Sequence, residues 1–325
     1  MILLTGATGF LGKYLVEELL SAGYSLRLLV RDAKKAAFQA SPQLEIVEGE
    51  VNDVLALDKA FEGITYVVHA AALVSFNPKE KAKMMQVNVE GTANVVNLCL
   101  IHQVKKLVFM SSIAALGRAE GNALISEKTR WQEGSSNSNY AVSKRRAELE
   151  VYRGVEEGLN AIILNPGQII GAGHWQQSTG KFYSIIHKGL SFYNRGINGV
   201  VGAADVAKAM RLVLEKEIKS GEKFILVTEN MSQKDLFGQI ALSIGKNPPK
   251  YELPPILAKI VGFTLEKWAS LTGKSPIITQ ETIHTSLNQY FYDGSKITKT
   301  VAFQYTQMSE VIRAAGEQFK KEYSA

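Results

Sequence analysis

The tightest constraint on the fold is the turn Thr5-Gly6-Ala7-Thr8-Gly9-Phe10-Leu11-Gly12, set between an apolar run at residues 2–4 and a helical repeat of Leu11, Leu15, Leu19 and Leu20 that stops at Gly23. A turn with three glycines lets backbone N–H groups and the positive end of the following helix approach a pyrophosphate closely. A glycine triplet alone is also compatible with a plain tight turn. Following a strand and opening an amphipathic helix is the context in which it cradles phosphates. This reading puts Gly6, Thr8, Gly9, Phe10, Leu11 and Gly12 against a dinucleotide.

The rest of the chain agrees with such a turn. Strand-like runs at 2–4, 26–30, 45–47, 66–69, 106–110, 161–164 and 223–227 alternate with helical patterns. That alternation predicts an α/β fold, a doubly wound parallel (Rossmann) sheet with a smaller C-terminal substrate-binding lobe. Residues 1–169 are assigned to the dinucleotide domain, with 199–228 and about 283–304 returning to it; 170–198, 229–282 and 305–325 form the lobe. At 325 residues and 46% hydrophobic, the chain can bury cores of that size. A net charge of +6 suits phosphate-bearing ligands. No basic tail or aromatic-interleaved basic stripe supports nucleic-acid binding. Cys99 lies in an apolar run and reads as a buried, inert thiol. No run of about 18 apolar residues predicts a membrane span. Residues 255–271 are amphipathic and read as a helix roofing the substrate cleft, in preference to one lying on a lipid surface. The glycine turn starts so near Met1 that no leader is expected, which predicts a cytoplasmic protein.

Tyr140-Ala141-Val142-Ser143-Lys144 puts a phenol and an ammonium one helical turn apart on one face. A phenol of pKa ~10 is a poor acid or base at neutral pH, and a nearby lysine and an oxidised nicotinamide ring would both lower that value. Tyr140 could then protonate a developing alkoxide, or deprotonate an alcohol. In isolation, Y-x-x-x-K is equally a surface helix pair. Here it follows Ser111-Ser112-Ile113-Ala114-Ala115-Leu116-Gly117, which leaves an apolar strand.

Taken together, the G-x-x-G-x-x-G turn with its preceding Thr5, the serine segment and Y-x-x-x-K resemble the extended short-chain dehydrogenase/reductase family, in its dihydroflavonol-reductase-like branch. The resemblance implies a hydride transfer between nicotinamide and a small-molecule ketone, aldehyde or secondary alcohol. It makes Ser112, Tyr140 and Lys144 catalytic, with Ser111 the rival serine and helix capping the structural alternative. It places Asp53 and Val54 by the adenine, Ala70, Ala71 and Ala72 along the cofactor, and Pro166, Gly167 and Ile169 beneath the nicotinamide, with Tyr140 and Lys144 also touching the dinucleotide. Asn88 is expected to tie strands together. Where many members carry a ribose-binding acid this chain has Val30, followed by Arg31, whose guanidinium can pair with a 2′-phosphate. That implies NADP(H) in preference to NAD(H), which the site would still admit. In the alternative, Arg31 is a solvated charge and Asp32 takes the ribose.

Asn165 stands where reductases often have arginine, and asparagine there also occurs in sugar-nucleotide epimerases. An epimerase with retained cofactor therefore stays open, as does a nucleotide-sensing regulator. A dehydratase does not fit: the acid and base it needs would fall on Ile113 and Ala114. The family also implies a homodimer. His69, His102, His174, His187 and His284 show no metal-ligand spacing, so no metal is expected. His174 and Trp175 open a glycine-flanked loop that reads either as a substrate contact or as plain surface.

Overall fold

Along β1 (Ile2–Thr5), Ile2 and Leu4 join one apolar cluster and Leu3 joins another, and all three are fully buried. Only a sheet covered on both faces satisfies such a strand. In the computed structural model, which describes every residue except 37, 39, 40, 76, 119–122, 135, 136, 255, 256, 258–286, 324 and 325, that sheet has seven parallel strands. β2 (Leu26–Val30), β3 (Leu44–Glu48), β4 (Tyr66–His69), β5 (Lys106–Met110), β7 (Ala161–Pro166) and β11 (Lys223–Leu226) complete it, in the order β11-β7-β5-β4-β1-β2-β3. Strand order reverses between β1 and β4, and the crevice this leaves at the strands' C-terminal ends is where open α/β sheets bind ligands.

Helices α1 (Phe10–Ser21) and α7 (Ala203–Glu215) cover one face, bridged by Arg211, whose Nε donates to Glu18 at 2.7 Å. The other face carries α2 (Val54–Phe61), α4 (Gly91–Ile101) and α5 (Asn139–Glu156). The sheet is thus doubly wound. Short α3 (Lys81–Met85) runs into a π-helical turn, Gln86–Glu90, before α4 begins.

β8 (Gln168–Ile170) and β10 (Ile197–Gly202) pair in parallel, and β12 (Glu229–Ser232) adds antiparallel to β10. β6 (Leu124–Ile125) pairs with β14 (Phe291–Tyr292), and β9 (Phe192–Tyr193) with β13 (Tyr251–Glu252). Around the three-stranded sheet, α6 (Gly180–His187), α8 (Gln233–Ser243) and α10 (Met308–Tyr323) enclose a separate core containing Trp175, Tyr183, Phe237, Ile312 and Phe319. Helix α9 (Ser295–Thr300) packs back against β11. No helix among the described residues is long and apolar enough to cross a membrane. Apart from Leu257, the amphipathic stretch 255–271 lies outside the described residues, as does His284.

Candidate active site

The glycine turn has the shape a phosphate cradle requires. Gly6 sits at φ +80°, and a Cβ there would lie 2.6 Å from the backbone of Ala70 and Ala71, so the turn touches the end of β4 directly. At Gly12 a Cβ would meet the carbonyl oxygen of Ala7 at 2.2 Å. Gly9 is exposed, and its Cβ would approach only one oxygen, that of Gly6 at 3.3 Å. As N-cap of α1, Gly9 offers no side chain to the first N–H groups of the helix. Helix start, close backbone approach and open outer side together fit a pyrophosphate.

Beneath the cradle, Thr5 Oγ1 bonds His69 Nδ1 at 2.7 Å and accepts from Ala71 N, while His69 Nε2 meets Thr92 Oγ1 at 3.1 Å. Burial, with Lys144 adding to it, pushes the His69 pKa down to about 3, so this histidine is a neutral strut. Ala70 and Ala71 are half-buried and Ala72 exposed along the same crevice.

At the end of β2, Val30 is 2% exposed and packs in the core, where it cannot reach a ribose. Arg31 is exposed beside it. Asp32 Oδ1 accepts from Lys34 N at 3.0 Å and so holds the following turn. Glu48, in register with Val30, accepts from Ala33 N at 3.3 Å, an acid at this strand end that the motifs do not reveal. Asp53 caps α2 through Ala56 N at 3.1 Å; both it and Val54 are exposed.

Tyr140 and Lys144 lie on the first turns of α5, which Ser138 caps through Ala141 N at 2.9 Å. The Tyr140 hydroxyl is hydrogen-bonded to Ser112, which also accepts from Ala114 N at 3.1 Å; the serine therefore both caps a short turn and faces the phenol. Lys144, 2% exposed, donates from Nζ to the Met110 carbonyl oxygen at 2.7 Å and sits 4.5 Å from the Phe109 ring centroid. Burial lowers its pKa to about 8, with Glu148 opposing. Burial raises the Tyr140 pKa, and Ser112 opposes that. The lysine-lowered phenol expected from the sequence is therefore not found in this arrangement, because the ammonium is directed at a carbonyl of β5.

Motif reading overlooked Glu148. It is fully buried and accepts from Ser111 Oγ at 2.6 Å and from Asn165 Nδ2 at 2.6 Å, while Asn165 Nδ2 also reaches the Ser112 carbonyl oxygen at 2.9 Å. One carboxylate thus ties α5 to the serine segment and to the end of β7. Its position four residues after Lys144 on the same helix face was the available signal. Ser111 is committed to this network, which leaves Ser112 as the serine facing Tyr140. Asn88 binds both backbone groups of Leu73, at 2.7 and 2.9 Å, and Ser143 Oγ at 2.9 Å. It therefore ties the loop after β4 to α5 and joins no two strands. Pro166 ends β7 and is buried; Gly167 packs where a Cβ would lie 2.5 Å from the Gly199 oxygen, and Ile169 is half-buried. Trp175 is not plain surface: it is 8% exposed in the core around the three-stranded sheet, in edge contact with Tyr183 and Phe319. His174 is exposed and edge-on to Phe10 at 6.2 Å.

The family model described as the NAD dependent epimerase/dehydratase family matches residues 2–226. Over 324 residues the chain is 26% identical to a putative dihydroflavonol 4-reductase of Synechocystis sp., covering 97% of this chain and 93% of that one. It is 28% identical over 245 residues to cinnamoyl-CoA reductase 1 of Oryza sativa subsp. japonica, with 70% and 71% covered. Among solved structures, gox2253 superposes with a TM-score of 0.85 at 31% identity, covering 99% of this chain and 98% of that one. A UDP-glucose 4-epimerase from Thermotoga maritima shares the fold, with a TM-score of 0.79 at 19% identity and 99% of each chain covered.

Proposed function

This chain belongs to the NAD dependent epimerase/dehydratase family of extended short-chain dehydrogenases/reductases, NAD(P)-dependent enzymes, and from that premise we propose that it is an NADP-dependent reductase of ketones or aldehydes. The observation that carries the reading is Tyr140 hydrogen-bonded to Ser112, one helical turn from Lys144, at the C-terminal end of β5. The bound nicotinamide would supply the hydride for the carbonyl carbon. Tyr140 gives its phenolic proton to the carbonyl oxygen as negative charge develops there, and Ser112 donates to the same oxygen. Lys144, fixed on Met110 one turn away, would hold the dinucleotide with its ammonium. In oxidation the same groups act in reverse.

For the cofactor, Gly6, Gly9 and Gly12 would hold the pyrophosphate at the start of α1. Exposed Arg31 is available to a 2′-phosphate while Val30 is buried, and this favours NADP(H). Calorimetry should find NADPH binding tighter than NADH. Arg31→Ala should remove roughly 1.5–3 kcal/mol of that preference, the scale of a charged hydrogen bond. Equal affinities in the unmodified protein would remove the NADP assignment.

Buried Ile113 and small Ala114 supply neither acid nor base, which argues against dehydration of a sugar nucleotide. Incubating the protein with NADPH and a panel of aldehydes, ketones and nucleotide sugars tests the rest. The expected result is stoichiometric loss of NADPH with a carbonyl compound. Epimer formation on a tightly held nucleotide, with no net cofactor change, would replace the reductase by an epimerase.

A further inference from the structure

We infer that a second anion site lies at the β11 edge of the main sheet, outside the dinucleotide cradle, and that it takes a small molecule bearing phosphate groups. A cavity of about 350 Å³ opens there, lined by Lys128, Arg130, Arg145 and Lys223 together with Trp131 and Gly117. The four cations come from three separate parts of the fold: the segment after β6, helix α5 and strand β11. Among the described residues that line it, none is acidic.

Like charges gathered around one cavity repel, and the repulsion grows as they leave water, so such a cluster calls for a counter-charge. Two neighbouring carboxylates, Glu148 and Glu127, offset part of this charge at Arg145 and Lys223, which leaves an excess of cations around the cavity. Glu127 accepts from Ile225 N at 2.9 Å, and Glu222 pairs with Lys296. Glu148 is held by Ser111 and Asn165, and its contact with Arg145 is long, at 3.5 Å. Among the described residues, Lys128, Arg130 and Lys223 form no ion pair. Burial, with Arg145 and Lys296 adding to it, lowers the pKa of half-buried Lys223 against the opposing charges of Glu148 and Glu127.

The site is also preorganised. A Cβ on Gly117 would fall 1.8 Å from the Arg130 carbonyl oxygen, so the segment bearing Lys128 and Arg130 is seated directly on the serine loop. Arg145 and Lys223 sit half-buried on a helix and a strand, and Lys128 and Arg130 are exposed at the rim. Two guanidinium forks and two ammonium groups match the several oxygens of a phosphate or pyrophosphate. The volume is at the small end of ligand pockets, roughly 300–1,000 Å³, which suits a phosphorylated metabolite better than a polymer. None of these residues belongs to the glycine turn or to the set Ser112, Tyr140 and Lys144.

Titrating inorganic phosphate and pyrophosphate into the whole protein by calorimetry, at ionic strength held constant with chloride, tests the site. Each titration is run with and without saturating NADPH, so that phosphate bound by the cradle is recognised. Saturable binding of one anion that persists with NADPH is expected, tighter for pyrophosphate. The Lys128→Ala/Arg130→Ala double variant should weaken it at least ~10-fold, with unfolding temperature and NADPH affinity unchanged. Lys223→Gln, from the floor of the cavity, should weaken it as well. Absence of saturable binding, binding abolished by NADPH, or equal binding in both variants would overturn the inference.

Discussion

The same burial moves the pKa values of Tyr140 and Lys144 in opposite directions, up for the phenol and down for the amine, and so favours the neutral form of each. Tyr140→Phe removes one hydroxyl and its bond to Ser112, so the fold and NADPH affinity should survive while turnover drops ~100-fold or more. Full turnover in this variant, on any substrate the parent reduces, would take the tyrosine out of the mechanism. Lys144 makes a prediction about stability. Its pKa is about 8 in the folded protein against 10.5 for a free lysine, so between those values the unfolded chain holds a proton the native state has lost. Without added nucleotide, stability should therefore rise with pH across that window, the penalty being full below pH ~8. Relative to Lys144→Met, the parent should gain roughly 3 kcal/mol from pH 7.5 to 10.5 in urea unfolding. A difference that stays constant with pH would mean Lys144 titrates as an ordinary lysine.

The three glycines of the first turn do different work, and the element can be dissected by adding a single methyl group. Gly9 has φ −79° and space for a Cβ at the cost of a tight 3.3 Å contact, so Gly9→Ala should fold with an unfolding temperature within a few degrees of the parent. The added methyl stands on the open side of the cradle, and NADPH affinity should fall at least ~10-fold. In Gly12→Ala the methyl would enter the Ala7 and Gly6 carbonyl oxygens at 2.2 and 2.3 Å, so both stability and binding should be lost. Thermal unfolding and calorimetry on the pair separate the roles, and a Gly9→Ala protein that binds NADPH like the parent would contradict the cradle. Helix α5 is the second element of consequence. Through Glu148 it clamps the serine segment and the end of β7, so its register sets where Tyr140 stands relative to Ser112.

At the scale of the whole molecule, a core around the three-stranded sheet must form beside the clusters on the two faces of the main sheet, and Trp175 reports on it. Its indole packs on Tyr183 and Phe319 and donates to Glu322, which joins the loop after β8 to α6 and the C-terminal α10. Trp175→Ala should cost about 3–5 kcal/mol of stability, with NADPH affinity nearly unchanged in the folded fraction. A rise in substrate KM at unaltered stability would instead return Trp175 to the substrate cleft.

Much of this was written in local sequence because the signals are local. A parallel strand buried on both faces must be apolar along its length, so residues 26–30, 66–69 and 106–110 could be recognised as the strands that β2, β4 and β5 prove to be. A turn whose neighbours forbid a Cβ must keep glycine, so Gly6 and Gly12 announced the cradle. A helix repeats every 3.6 residues, so Tyr140 and Lys144 had to share a face. What the sequence could not carry was anything made by residues far apart along the chain. The path of the Lys144 ammonium to Met110, the clamp of Glu148 on Ser111 and Asn165, the use of Asn88 to fasten Leu73 to Ser143, and the burial of Trp175 all join residues brought together by folding. A hydrogen bond of 2.6–2.9 Å depends on exact separation and direction, which periodicity does not encode and only the closed tertiary structure decides.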